Sequence, residues 1–518
     1  MPEGDNLPDR APTRGTRFMP KFAGRRLRAS AFALIAGFSF GLAPAASPLP
    51  DLGDSSSRVL SGQEEKAIGR KVVRQLRGSG GYFDDPEVNA YLDSLGHRLL
   101  AGDPEAGGDF QFFAVASPEI NAFALPGGYV GVNTGLILLT DNESELASVL
   151  AHETAHVSQH HIARQMEAQS TANLALLAGL AAAILAGAKG SGDAAQAAIV
   201  GSSAGAMQSQ INYTRDFERE ADRIGFARLQ RAGFDSQAMP AFFQRLQQAT
   251  RIMDSKTPGY LQTHPLTYER IADAQDRAFA APYRQVTDSV DYRLVKALLR
   301  SYEGTTEDAI ASLRRQLDTP RVDVRNSARY GLAAALLRAG KFQDAQTEVR
   351  TLDQAGFRHP MVDALAGQIL LQSGQFAEAK VRYETALTRY PDHLQLVYDY
   401  PRNLIKARDF AGASRFCEAQ IARRRDDPTL HEIAAEAYAS LGRQTLSHYH
   451  LGEMYALQGD TREAVQQMEI ATRAQDSGEQ AQAQAEGRLG ALRKQLREER
   501  KERANGGLGA GLRDDHRH

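Results

Sequence analysis

The sequence has no tryptophan, a single cysteine and no sizeable excess of either charge. One cysteine, Cys417, forbids an internal disulfide and cannot build a thiolate metal site, so any metal must be held by His, Asp or Glu. With 61 basic against 63 acidic residues the formal net charge is -2, which lacks the electrostatic footprint of a nucleic-acid-binding protein. Long hydrophobic runs are missing too. The uncharged stretches 29–43 and 174–188 both fall short of the ~20 apolar residues that cross a bilayer, which excludes a polytopic membrane protein. What remains is a chain of 518 residues, 42% hydrophobic and 24% charged, with the balance of a protein that folds in water as two or three units.

Lys21, Arg25, Arg26 and Arg28 stand directly before the first uncharged stretch, which ends in Ala43-Pro44-Ala45. A basic region, an apolar region and a small-residue triplet predict a cleavable signal peptide over 1–45, and the Ser/Gly/Pro-rich residues 46–57 a linker. The Ala/Leu/Gly-rich run 174–188 reads as a packed or membrane-brushing helix.

Residues 58–285 read as one domain. Apolar residues at helical spacing (Val72, Val73, Leu76, then Val88, Tyr91, Leu92, Leu95) give way near 110 to strand-like FQFFAVAS and INAFALPGGYVGVNTGLILLT. Asn142 with Glu145 resembles a capping box, so a helix is expected to start there and run on through ELASVLAHETAHVSQHHIARQ. From 290 to 490 the chain repeats. Gly340-Lys-Phe342-Gln-Asp-Ala345 recurs as Gly374-Gln-Phe376-Ala-Glu-Ala379 and Arg408-Asp-Phe410-Ala-Gly-Ala413, the 34-residue tetratricopeptide period. Further registers begin at Gly442 and Gly459, half a repeat apart, so one helix is expected to serve two overlapping repeats. Residues 491–518 read as a mixed-charge helix fraying into a charged, disordered tail. The fold class is mainly α: an α+β metallopeptidase domain with a small sheet, then an α-solenoid.

The chemistry lies in His152-Glu153-Thr154-Ala155-His156. Residues four apart share a helix face, so the two imidazoles converge on one point with Glu153 beside them, a geometry that suits zinc. The helix is otherwise apolar, and charged groups buried there without an ion have no purpose. Catalytic zinc takes three protein ligands and leaves a fourth position for water. Gln159 and Ile162 break the metzincin continuation, and His160 and His161 read as surface residues or as residues packed behind the ligands. Downstream, Glu218 and Asp222 are four apart on another helix, so one carboxylate is placed to ligate while the other steadies a ligand imidazole from behind.

His152 to His156, the later Glu218-Arg-Glu-Ala-Asp222, the strand Asn121-Ala-Phe-Ala-Leu-Pro-Gly-Gly, and His264-Pro265 with Arg270 together resemble the gluzincin (zincin-like) metallopeptidases that include the CAAX prenyl proteases and the heat-shock protease X group. With an export segment and C-terminal repeats, the chain is similar to the periplasmic branch of that family that works in outer-membrane barrel assembly. The resemblance implies one Zn2+ per chain on His152, His156 and Glu218, with Glu153 as general base and Asp222 behind a ligand. It also brings His264 and Arg270 in as catalytic candidates. Both could donate to the developing oxyanion, while His264 could instead occupy the open zinc position and hold the enzyme latent. Strand 121–125 is an edge along which an extended peptide could lie. The implied partners are unfolded or misassembled outer-membrane proteins and the beta-barrel assembly machinery, with peripheral membrane contact and no nucleic acid. A chaperone or adaptor in which proteolysis is minor is the competing function.

Overall fold

The computed structural model describes residues 61–104, 106–168, 215–252, 258–474, 476 and 478–511. The expected signal peptide and linker, and the stretch 174–188, lie outside the described residues. Ser61 opens α1 (Gly62–Ser79) with a capping box to Glu64, and Asp85 caps α2 (Pro86–Leu100). Three short strands follow, β1 (Gln111–Val115), β2 (Ala122–Leu125) and β3 (Tyr129–Asn133), in the order β1-β3-β2. β1 runs parallel to β3, and β2 antiparallel to it with Phe123 opposite Gly131. The β2–β3 turn needs its glycines: Gly127 and Gly128 have φ of 80° and 92°, and a Cβ on Gly128 would sit 1.9 Å from the Asp109 carbonyl oxygen.

Residues 134–139, expected to continue as strand, form the helix α3 (Thr134–Leu139). Ser117 draws the chain off the sheet, its carbonyl accepting from Gly135 N at 2.9 Å and from Thr134 Oγ1 at 2.8 Å. Asn142 then caps α4 (Glu143–Ser158), its Oδ1 accepting from Glu145 N at 2.9 Å. The box is not reciprocal, because Glu145 accepts from Asp141 N instead. Every residue from Glu143 to His156 is buried, which marks α4 as a core helix packed on all sides. It ends at Ser158, so the single long helix expected from the sequence is two, with α5 (His161–Ala168) following. The peptidase part closes with α6 (Arg215–Arg231), α7 (Ala238–Ile252), α8 (Gly259–Thr263) and α9 (Tyr268–Ala280).

The remainder is helical throughout: α10 (Val290–Arg300), α11 (Thr306–Arg315), α12 (Val322–Arg338), α13 (Phe342–Gln354), α14 (Pro360–Gln372), α15 (Phe376–Arg389), α16 (Leu394–Lys406), α17 (Phe410–Ile421), α18 (Pro428–Ser440), α19 (Gln444–Leu457), α20 (Thr461–Ala474) and α21 (Glu479–Gly511). The period has a packing cause. Ala345, Ala379 and Ala413 are each 0% exposed where paired helices meet. Gly340, Gly374, Gly442 and Gly459 end helices in the left-handed region, and Arg408 holds that conformation (φ 63°) in the copy that lacks the glycine. Gly442 and Gly459 bracket α19, which is thereby second helix of one repeat and first of the next. The charged stretch from 491 is helical, and packed where a frayed, solvated end was expected. It continues α21, because Leu492 is fully buried against α20 in a cluster with Ala464 and Met468, and Thr461 Oγ1 donates to Glu499 at 2.6 Å. Among the described residues no helix is long and apolar enough to cross a membrane.

The repeats share their core with the peptidase part. One apolar cluster runs from Val88 and Leu95 through Leu146 and Leu150 to Leu298, Tyr330 and Ile369. Further along, α16 meets α2 through polar groups, with His393 Nε2 at 3.1 Å from Glu87. Burial and the neighbouring Glu87 push the Asp85 carboxyl up to about 6. Burial likewise lifts Asp399 to about 6, although Gln395 and Gln368 both donate to it. Both acids therefore bind protons more tightly folded than unfolded, so stability is greatest below about pH 4 on their account and is lost as pH rises through about 6. Asp399→Asn, which keeps an acceptor for both glutamines, should raise stability near neutral pH by about 1–3 kcal/mol. It should also flatten the dependence between about pH 4 and 6. Urea midpoints at about pH 5 and pH 7.5 check both statements.

Candidate metal centre

The site is built where α4, α6 and the end of α8 meet beneath the sheet. His152 and His156 lie one turn apart on α4, with their Nε2 atoms 2.9 Å from each other. α6 can come close because Ala155 and Ala221 are small where the helices touch. Gly225 presses on the α4 backbone, where a Cβ would stand only 3.0 Å from His152 N. This approach brings Glu218 to 3.5 Å from both His152 Nε2 and His156 Nε2. The third element is α8, fastened to the chain before β2 by Tyr260 N donating to Ile120 O at 3.0 Å. His264 ends that helix, its ring stacked on Tyr260 with centroids 4.6 Å apart. His264 Nδ1 is 3.1 Å from Glu218 Oε1 and 3.4 Å from His152 Nε2.

His152, His156, Glu218 and His264 thus offer four buried donor atoms within 4.8 Å of one another. Ligands about 2.0–2.1 Å from a tetrahedral centre are spaced roughly 3.3–3.4 Å apart, so the spacing fits a divalent ion of the zinc type. The electrostatics ask for a cation as well. Burial works against a charged His152, yet Asp222 and Glu218 outweigh it and keep its imidazole protonated up to about 10. Burial also opposes ionised Glu218, but His264 and Arg270 hold its carboxyl well below the usual range.

Glu153 stands beside the cluster, fully buried, and neither of its oxygens has a hydrogen-bond partner. His264 Nε2 lies 3.5 Å from Glu153 Oε1. Burial raises its carboxyl above the ordinary carboxylate range, against the pull of His264 and His152. A carboxylate with unused lone pairs and a raised pKa suits a general base. Asp222 Oδ1 lies 2.9 Å behind His152 at Nδ1.

Arg270 is engaged with carboxylates rather than with an open position. Its Nε and Nη2 donate to the two Asp222 oxygens at 2.7 and 2.8 Å, Nη1 lies 2.7 Å from Glu218 Oε2, and Nη1 also donates to Pro265 O at 2.8 Å. It therefore ties α6 to the turn that carries His264. Sequence reasoning allowed His161 a place behind the ligands but aimed it wrongly. Read as a packing residue pointing away from His156, it is 0% exposed with its Nδ1 2.8 Å from His156 Nδ1. The end of α4 at Ser158 redirects it, and no signal short of that break would have found it.

The profile of peptidase family M48 matches residues 86–278, and a tetratricopeptide repeat profile matches 370–437. The chain is 36% identical to the beta-barrel assembly-enhancing protease of Escherichia coli, over 90% of this chain and 96% of that protein. It is 35% identical to the protein of the same name from Yersinia pestis, over 88% and 93%. It is also 29% identical to the mitochondrial metalloendopeptidase OMA1 of Schizosaccharomyces pombe, over 41% and 59%.

Proposed function

The chain belongs to the beta-barrel assembly-enhancing proteases of peptidase family M48, and from that premise we propose that it is a periplasmic zinc endopeptidase that removes misassembled outer-membrane barrel proteins. The observation that carries this reading is the convergence of His152, His156, Glu218 and His264 on one point beside Glu153, whose oxygens make no hydrogen bond. His152, His156 and Glu218 would hold the ion, one per chain. When bound, zinc supplies a Lewis acid that makes water a nucleophile near neutral pH.

The residues of this chain do the rest. Glu153 takes the proton of the attacking water and returns it to the leaving amine. Asp222 holds His152 in the tautomer that presents Nε2. Arg270 keeps Glu218 and Asp222 ionised and in place, so it acts by positioning. His264, whose Nδ1 lies 3.1 Å from Glu218 Oε1, would be a fourth donor in the place a substrate needs, and would hold the resting enzyme latent. An extended client backbone pairs along the edge of β2, which has β3 on one side and no strand on the other among the described residues. The repeats recruit clients and the assembly machinery. The closed arrangement of His264 also favours a second reading, an assembly factor whose proteolysis is held in reserve.

Cells carrying only the Glu153→Gln chain separate the two. When barrel assembly is impaired, stalled barrel proteins should accumulate in them and disappear with the parent chain. Equal clearance by both would overturn the protease reading, and restored assembly with Glu153→Gln would favour the second.

A further inference from the structure

The two α4 imidazoles are backed by different chemistry. Behind His152 stands a carboxylate, Asp222. Behind His156 stands another imidazole, His161, whose Nε2 in turn lies 3.1 Å from Glu220 Oε2. Arg164 Nη1 donates to the same Glu220 oxygen at 2.9 Å. Phe217 stacks on the His161 ring, with centroids 4.6 Å apart and planes 13° from parallel, and the Arg164 guanidinium lies over Phe217 at 4.7 Å.

Backbone geometry is arranged to bring this about. On a continuous helix, residue 161 would point about 140° away from residue 156. Instead α4 stops, and His160 takes φ 49°, a region that residues other than glycine seldom enter. The reversal folds His161 back beneath His156.

Proton placement then follows from the contacts. His156 turns Nε2 toward the cluster, so its ring proton sits on Nδ1. Two facing nitrogens can share only one proton, so His161 accepts at Nδ1 and keeps its own proton on Nε2, directed at Glu220. Ligand imidazoles commonly donate their second N–H to an acceptor that fixes ring and tautomer. We propose that His161 is that acceptor for His156, a positioning residue that aligns the ligand and passes the influence of the Glu220 charge to it. This rests on the reading of His156 as a metal ligand.

The test is Zn2+ affinity of the full chain, measured by competition with a chromogenic chelator. His161→Phe keeps the stack on Phe217 and removes both nitrogens, and it should weaken binding roughly 10- to 100-fold. His161→Gln, whose amide oxygen can accept from His156, should recover most of that loss. Glu218→Gln should bind far more weakly than any of these. Parental affinity in His161→Phe, or equal losses in the Phe and Gln variants, would overturn the proposal. A parent chain that binds no zinc, or a Glu218→Gln chain that binds as tightly, would overturn the ligand reading instead. Should His161→Phe fail to fold, heavy-nitrogen histidine spectra of the zinc-loaded parent decide the matter: a bare Nδ1 on His161 is required, and a protonated Nδ1 contradicts it.

Discussion

Glu153→Gln should keep its fold and its metal and cleave casein on the order of 10²- to 10⁴-fold more slowly than the parent, the scale of a lost general base. The amide has the shape of the carboxylate and cannot take the proton. Fold is expected to survive because neither Glu153 oxygen makes a hydrogen bond, and its contact with His264 at 3.5 Å is outweighed by burial, which raises the carboxyl. A buried carboxylate in that state is a cost, so removing its charge should leave the thermal midpoint equal or higher. Metal analysis, a melting curve and a casein assay on one preparation separate lost chemistry from lost structure. A metal-loaded variant that cleaves at the parental rate would remove Glu153 from the mechanism.

His264→Ala should act in the opposite direction, raising casein cleavage and self-cleavage. The His264 nitrogens lie 3.1 Å from Glu218 Oε1 and 3.5 Å from Glu153 Oε1, between the ligand set and the base. A substrate carbonyl needs that space. If the open state makes up about 1–10% of the resting population, releasing it raises the rate roughly 10- to 100-fold. An oxyanion donor predicts the reverse, a fall of roughly 10²- to 10³-fold. Initial rates at equal metal content distinguish the two, and a slower His264→Ala chain would exclude latency.

Much of this was legible in the sequence because local spacing carried it. His152 and His156, and Glu218 and Asp222, sit one helical turn apart, and a turn is fixed by 3.6-residue geometry wherever a helix forms. The 34-residue period was equally plain, since each repeat must place a small residue such as Ala345 or Ala379 at the same helix contact. What could not be read depended on breaks and on distance. His161 looked misdirected because nothing in Ser158-Gln159-His160 announces the end of α4, least of all a histidine with positive φ. Residues 134–139 have the apolar pattern of a strand, and the bonds of Thr134 and Gly135 to Ser117 draw them off the sheet. Leu492 was lost among charges because its partners lie on another helix. The continuous core from Leu150 to Ile369 was invisible for the same reason, as an inward face of a repeat and a face packed on a second unit carry the same residues.

On the proposed function, His264 closes a metal centre whose chemistry runs through Glu153. Casein cleavage by metal-loaded His264→Ala, measured beside the double variant His264→Ala/Glu153→Gln, tests it most directly. The single variant should be faster than the parent and the double variant close to inactive, with equal metal in both. A double variant that cleaves as fast as His264→Ala would contradict it.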